Sequence, residues 1–272
     1  MKQLENAVKF FGKFYILAIP LLVLNALPAL IQGGAAISLI SNFTQFINSY
    51  DIIKGFQDPL ALFRLISSVL SYIIGGSILA IILHFVVEPA TYGMVNNGLQ
   101  YGQSDLNDFV PALKQNFVKY VLYWVGTLVV SAVFGIAAVI VFVILVLLTI
   151  AIKWLGALLI VIAILGFIIA GFVLYTLISL WYSSMVVDNL DVVSGFKRSV
   201  EVVKSNFWTI LGIKILLWVV GAVAGGIVNA ILGWIPVIGP IISSIVPTII
   251  TFVAIVFYLV FYREKTGQEA AA

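Results

Sequence analysis

Six apolar runs dominate this chain: Phe14 to Ile40, Leu65 to Met94, Phe117 to Ile152, Trp154 to Val187, Phe207 to Leu232 and Ile241 to Tyr262. Each reaches or exceeds the roughly 20 residues that a helix needs to cross a bilayer. Hydrocarbon offers no water to backbone N–H and C=O groups, so such runs must satisfy their own hydrogen bonds as helices. The pattern predicts an all-α, polytopic membrane helical bundle of about six transmembrane helices. Only 9% of the 272 residues are charged and 63% are hydrophobic, against roughly 25% charged in an ordinary soluble domain. A single integral membrane domain over residues 1–272 follows, and any site must be built from the spans and their short connections.

Lys2, Lys9 and Lys13 precede the first run in the manner of a secretory signal. That run is far longer than a cleavable core and contains Pro20 and Pro28, so it reads as an uncleaved span. With the N-terminus inside, the cytoplasmic segments hold Lys2, Lys9, Lys13, Lys114, Lys119, Lys197, Arg198, Lys204, Arg263 and Lys265, and the other side only Lys54, Arg64 and Lys153. The positive-inside rule then predicts a multi-pass protein of the cell membrane with both termini cytoplasmic. External loops fall near Asp51, Lys153 and Trp234. The net charge of +3 reflects this orientation and gives no reason to expect a nucleic-acid partner.

The segments before spans one, three and five repeat a pattern. Leu4, Val8, Phe11 and Tyr15 recur at helical spacing, as do Leu106, Phe109, Leu113 and Phe117, and then Val192, Phe196, Val200, Val203 and Phe207. Each predicts an interfacial amphipathic helix with its basic face among the headgroups, where lipid or a protein partner could bind. Asp105 or Asp108, and Asp188 or Asp191, are candidate N-caps. Lys114–Phe117 and Lys204–Phe207 share Lys-x-Asn-Phe. Together these suggest three hairpin repeats, at 1–98, 99–187 and 188–265.

Spans three and four each exceed 30 residues, about 50 Å as straight helix against a hydrocarbon core of about 30 Å. Gly126, Gly135, Gly166 and Gly171 are candidate bends. The uncharged connector from Leu232 to Pro240 contains two prolines and two glycines, which preclude continuous helix. Gly221, Gly225 and Gly226 favour close helix packing, and Asn25 and Asn229 are candidates for interhelical hydrogen bonds.

Ionisable groups inside spans are the default functional candidates, because charge in hydrocarbon costs several kcal/mol unless paired or hydrated. Arg64, His84, Glu88 and Lys214 qualify. His84 and Glu88, four apart, share one helix face and suit a proton relay, a substrate contact or a buried polar network. Matched depth below the cytoplasmic surface makes Glu88 and Lys214 a candidate ion pair, and Arg64 is expected to snorkel outward. No metal site is expected, since the chain has no cysteine and His84 is its single histidine. No nucleophile elbow or phosphate loop is present either, so neither catalytic residues nor a cofactor are expected and the chain is not expected to be an enzyme.

The stretches Glu88-Pro-Ala-Thr-Tyr-Gly93, Tyr101-Gly-Gln-Ser-Asp-Leu-Asn-Asp-Phe109 and Val187 to Trp208 resemble a prokaryotic family of six-span membrane proteins of uncharacterised function. That family is similar to the membrane domain attached to some glycerophosphodiester phosphodiesterases. The resemblance covers roughly residues 60 to 262 and implies six membrane helices with cytoplasmic amphipathic helices. It implies no phosphodiesterase activity, because the soluble catalytic domain of those enzymes has no counterpart here. Transport or handling of a lipid or other amphipathic substrate is the function expected, with a non-transporting accessory or scaffold subunit as the alternative.

Overall fold

The computed structural model describes residues 2–31, 44, 59–235 and 238–268, with the helix backbone alone at 59–66, 68–73 and 151. The protein is 91% helical with no strand among the described residues, and six helices are long and apolar enough to cross a membrane. It is an all-α, multi-pass membrane protein. Helix α1 (Lys2–Phe14) leads through a 3-10 turn (Tyr15–Ala18) into α2 (19–31). There follow α3 (Pro59–Tyr101), a 3-10 turn (Leu106–Asp108), α4 (Phe109–Ala151), α5 (Lys153–Leu177), α6 (Trp181–Val187), α7 (Val192–Ser205), α8 (Phe207–Leu232), α9 (Ile238–Ser243) and α10 (Ile245–Lys265). The loop expected near Asp51 lies outside the described residues, as do Pro236 and Val237.

The amphipathic segments before spans one and five form separate helices, α1 and α7. The one before span three does not separate: its residues from Phe109 onward are the first turns of α4, which runs unbroken for 43 residues, about 65 Å. What begins that helix is the Asp105 capping box, in which Asn107 N–H donates to Asp105 Oδ1 at 2.7 Å and Asp105 N–H to Asp108 Oδ2 at 3.2 Å. Exposed tryptophans mark helix ends, with Trp154 at the start of α5, Trp208 at the start of α8 and Trp234 just past its end. Helix α8 is 26 residues, about 39 Å, so Trp208 at its start and Trp234 just past its end are spaced for the two interfacial belts of one bilayer, while Trp218 stands exposed between them.

Two compact units arise. One comprises Met1–Gln115 with Lys214–Phe257, the other Asn116–Ile213 with Tyr258–Ala270. In the first, Phe10 packs on Phe14 at 4.6 Å and stacks on Phe252 at 6.4 Å. Thus α1 buries Ala7 and Phe10 and leaves Val8 exposed, a face turned by one residue from the Leu4, Val8, Phe11 stripe, of which Phe11 still meets Phe252 edge-on at 5.7 Å. The aromatic contact with α10 sets that rotation. Helices α8 and α10 approach through small residues, as a Cβ on Gly221 would stand 3.4 Å from Ile250 Cγ1 and one on Gly225 3.8 Å from Val246 Cγ1. Asn25 Nδ2 donates to Thr248 Oγ1 at 3.0 Å, an interhelical bond of the kind its place in a span predicted.

In the second unit α4 and α5 form a hairpin closed at Ile152, where Gly156 lies against Thr149 too closely for a side chain. Phe167 meets Phe134 and Phe142 at 5.6 and 5.7 Å along it. None of the most apolar 18-residue window of either helix is buried. Span four breaks at 178–180, between α5 and α6, and not at Gly166 or Gly171. Gly126 serves packing and not bending: it stays helical, and a Cβ there would meet Trp181 Cη2 at 2.6 Å.

Candidate functional site

Helix α3 carries one of the six candidate membrane spans, and Glu88 lies within it, thirteen residues before the Tyr101 end. His84 Nδ1 lies 2.8 Å from Glu88 Oε1, with 43% of the imidazole and 21% of the carboxylate side chain exposed. Helical spacing alone brings them together, one turn apart on one face. With Nδ1–H donating to the carboxylate, Nε2 carries the lone pair and can accept a proton or a hydrogen bond from an arriving group. Pro89 follows directly and contributes no N–H to the helix ladder at this level. A polar pair inside a crossing helix, with its edge open, is costly in hydrocarbon unless water or a polar ligand meets it.

Arg64 and Lys214 are the other sequence candidates. Arg64 belongs to the part of α3 whose side chains lie outside the described residues. Lys214 stands on α8 in the same compact unit as the pair, partly buried. Glu88 lies thirteen residues before the Tyr101 end of α3, and Lys214 seven after the Phe207 end of α8. No group of three or more His, Cys, Asp or Glu side chains fit to hold a metal ion occurs among the described residues.

A second polar constellation, within the second unit, escaped sequence reading. Ser199 Oγ donates to the Leu177 carbonyl at 2.8 Å and accepts from Leu180 N–H at 3.2 Å, closing both backbone groups that the break between α5 and α6 frees. Trp181 Nε1 donates to the Val192 carbonyl at 2.7 Å, and Ser184 Oγ lies 3.0 Å from the Gly195 carbonyl. Gly195 faces Met185, where a Cβ would stand 2.7 Å from Cγ. Helix α7 consequently buries Gly195, Ser199, Val202 and Val203, while Val192, Phe196 and Val200 are only half-buried. The apolar stripe located the helix and shares buried Val203 and the 5.0 Å Phe196–Trp181 contact with the packed face, but it did not point to Gly195 and Ser199.

Of the two aspartates considered as caps here, Asp191 does the capping, accepting from Val193 and Ser194 N–H at 2.9 and 3.0 Å. The Ser194 hydroxyl and then its amide hold the Asp191 carboxyl below the ordinary aspartate value. Asp188 has a different role. It accepts from the Tyr262 hydroxyl and from Gln268 Nε2, tying the end of α10 to the turn before α7. Gly267, at φ 76°, turns the chain so that Gln268 reaches it.

The helices and the intramembrane His84–Glu88 pair define a multi-pass helical membrane protein with a polar group set inside one span. The chain belongs to the family described as a domain of unknown function (DUF7847), whose model matches residues 20–264. No curated protein and no solved structure matches the chain.

Proposed function

We propose that this protein handles or transports a lipid or another amphipathic substrate within the membrane, without catalysing a covalent reaction, and that His84 and Glu88 make its polar contact. The observation that carries this reading is the open edge of the 2.8 Å His84–Glu88 pair within a crossing helix. A headgroup drawn into the bilayer needs a polar partner, and in the Nδ1–H tautomer the imidazole Nε2 and the carboxylate offer acceptors to a headgroup donor. Arg64 and Lys214 supply the positive charges of the same spans. The basic residues counted above support a place in the cell membrane with both termini on the cytoplasmic side.

The test is lipid exchange between leaflets in liposomes that carry the purified chain and a fluorescent phospholipid, quenched from outside. Wild type should render more than the outer-leaflet share of the label quenchable, and His84→Ala with Glu88→Gln should slow the exchange about tenfold or more. Rates equal to those of protein-free liposomes would sink the reading. Single cysteines at Lys153 and Ser205 should react from opposite sides of the membrane, and labelling from one side would overturn the orientation.

The second reading is a non-transporting scaffold subunit. The wholly unburied apolar windows of α4 and α5 favour it, since they offer surface to lipid or to a protein neighbour. Co-purification of one stoichiometric membrane partner, lost on deletion of the hairpin and accompanied by no lipid exchange, would select it.

A further inference from the structure

Helix α7 packs into the second unit through Gly195, Ser199, Val202 and Val203, the positions it buries. At 3.6 residues per turn, Val193, Lys197 and Lys204 fall within about 40° of one another on the opposite side. All three are exposed. The two lysines stand two turns apart on this outward face, about 10 Å along the axis.

Their charges are not used inside the protein. Glu201, which lies between them in sequence, is held by Arg198 Nη1 at 2.9 Å, so that pair adds no net charge to the face. Lys197 and Lys204 make no hydrogen bond or ion pair among the described residues. The level at which they stand is marked independently. Four residues after Lys204, Trp208 is 80% exposed in the first turn of α8, which is itself one of the six candidate spans. An exposed tryptophan where a crossing helix begins settles among the headgroups, and Lys204 is one turn of chain away from it.

The outward face therefore runs from apolar Val193 through two uncompensated cations to an interfacial ring. That order suits the boundary where phosphates meet acyl chains, with the lysine stems along the apolar layer and the ammonium groups at the phosphates. An acidic protein segment would match the lysines but gives no reason for an exposed tryptophan beside them. We propose that the outward face of α7 binds anionic phospholipid headgroups through Lys197 and Lys204, with Trp208 holding the helix at their level. The proposal is independent of the role given to His84 and Glu88.

The chain has no cysteine, so Ser205→Cys carries a single fluorophore at the end of α7. The labelled full chain is placed in phosphatidylcholine nanodiscs with a rising share of either phosphatidylglycerol or phosphatidylcholine bearing a nitroxide high on the acyl chain. Phosphatidylglycerol should reach half-quenching at about a fifth of the mole fraction or less, and added salt should narrow the difference. Lys197→Gln with Lys204→Gln should bring the two curves together while thermal unfolding stays unchanged. Ser199 ties α7 to the Leu177 end of α5, and Lys153 stands at the other end of that 25-residue helix, about 37 Å away, so Lys153→Gln should leave the preference intact. Hexaglutamate bearing the same nitroxide should not quench. Equal quenching by the two lipids, a preference that survives the double substitution, or stronger quenching by hexaglutamate, which would assign the face to a soluble acidic partner, would overturn the proposal.

Discussion

The Ser199 hydroxyl donates to the Leu177 carbonyl at 2.8 Å across 22 residues of chain, while accepting the amide of Leu180. One side chain on α7 thereby repairs the break that lets span four turn from α5 into α6. A backbone donor and acceptor left open there would carry the desolvation penalty of buried polar groups, because Leu180 and Ser199 are fully buried.

Ser199→Ala should destabilise the protein by about 1–3 kcal/mol, since it leaves both backbone groups unsatisfied. Ser205→Ala, at an exposed hydroxyl of the same helix, should change stability by less than about 0.5 kcal/mol. Denaturant unfolding in mixed micelles measures both, and equal effects would refute the bridging role.

Two glycines should respond with opposite signs to the same substitution. Gly195→Ala drives a Cβ to 2.7 Å from Met185 Cγ and should cost about 1–3 kcal/mol. Gly135→Ala meets nothing within 4 Å and should be neutral or stabilise by up to about 1 kcal/mol through helix propensity. Thermal unfolding of the two variants against wild type separates packing from backbone freedom.

The Asp191 cap gives α7 a pH dependence of known sign. Its carboxyl is lowered by the Ser194 hydroxyl and by the Ser194 and Val193 amides, so the ionised form is favoured in the folded protein. The capping contribution is then fully present above the unfolded aspartate value and is lost as pH falls through the lowered folded value. NMR shifts of the Val193 and Ser194 amides should titrate in that acid window in wild type and stay flat in Asp191→Asn, which keeps the acceptor without the charge.

Glu88→Gln and Lys214→Met should each destabilise more than the double substitution if the two share one network, because each single change strands the opposite charge. A coupling of about 1 kcal/mol or more in the double-mutant cycle is expected. Simple additivity would separate the two residues and leave His84 as the partner of Glu88.

What the sequence determined by itself is whatever depends on near neighbours. Twenty or more apolar residues in a row fix a crossing helix regardless of context. Helical spacing placed His84 one turn from Glu88, and the sequence narrowed the caps to Asp105 or Asp108 and to Asp188 or Asp191. Tertiary structure decided the rest, for a physical reason: in a chain this apolar, hydrophobicity no longer distinguishes one helix face from another. The contact face of α7 was set by the fit of Gly195 under Met185 and by the freed backbone groups at Leu177 and Leu180. Likewise Gly126 reads as a hinge until Trp181 is seen against it. Asp188 reads as a second cap until the fold brings Tyr262 and Gln268 to it from 74 and 80 residues away. Pairings at such separations leave no periodic trace in the sequence, and only the packed helices reveal which polar side chains meet.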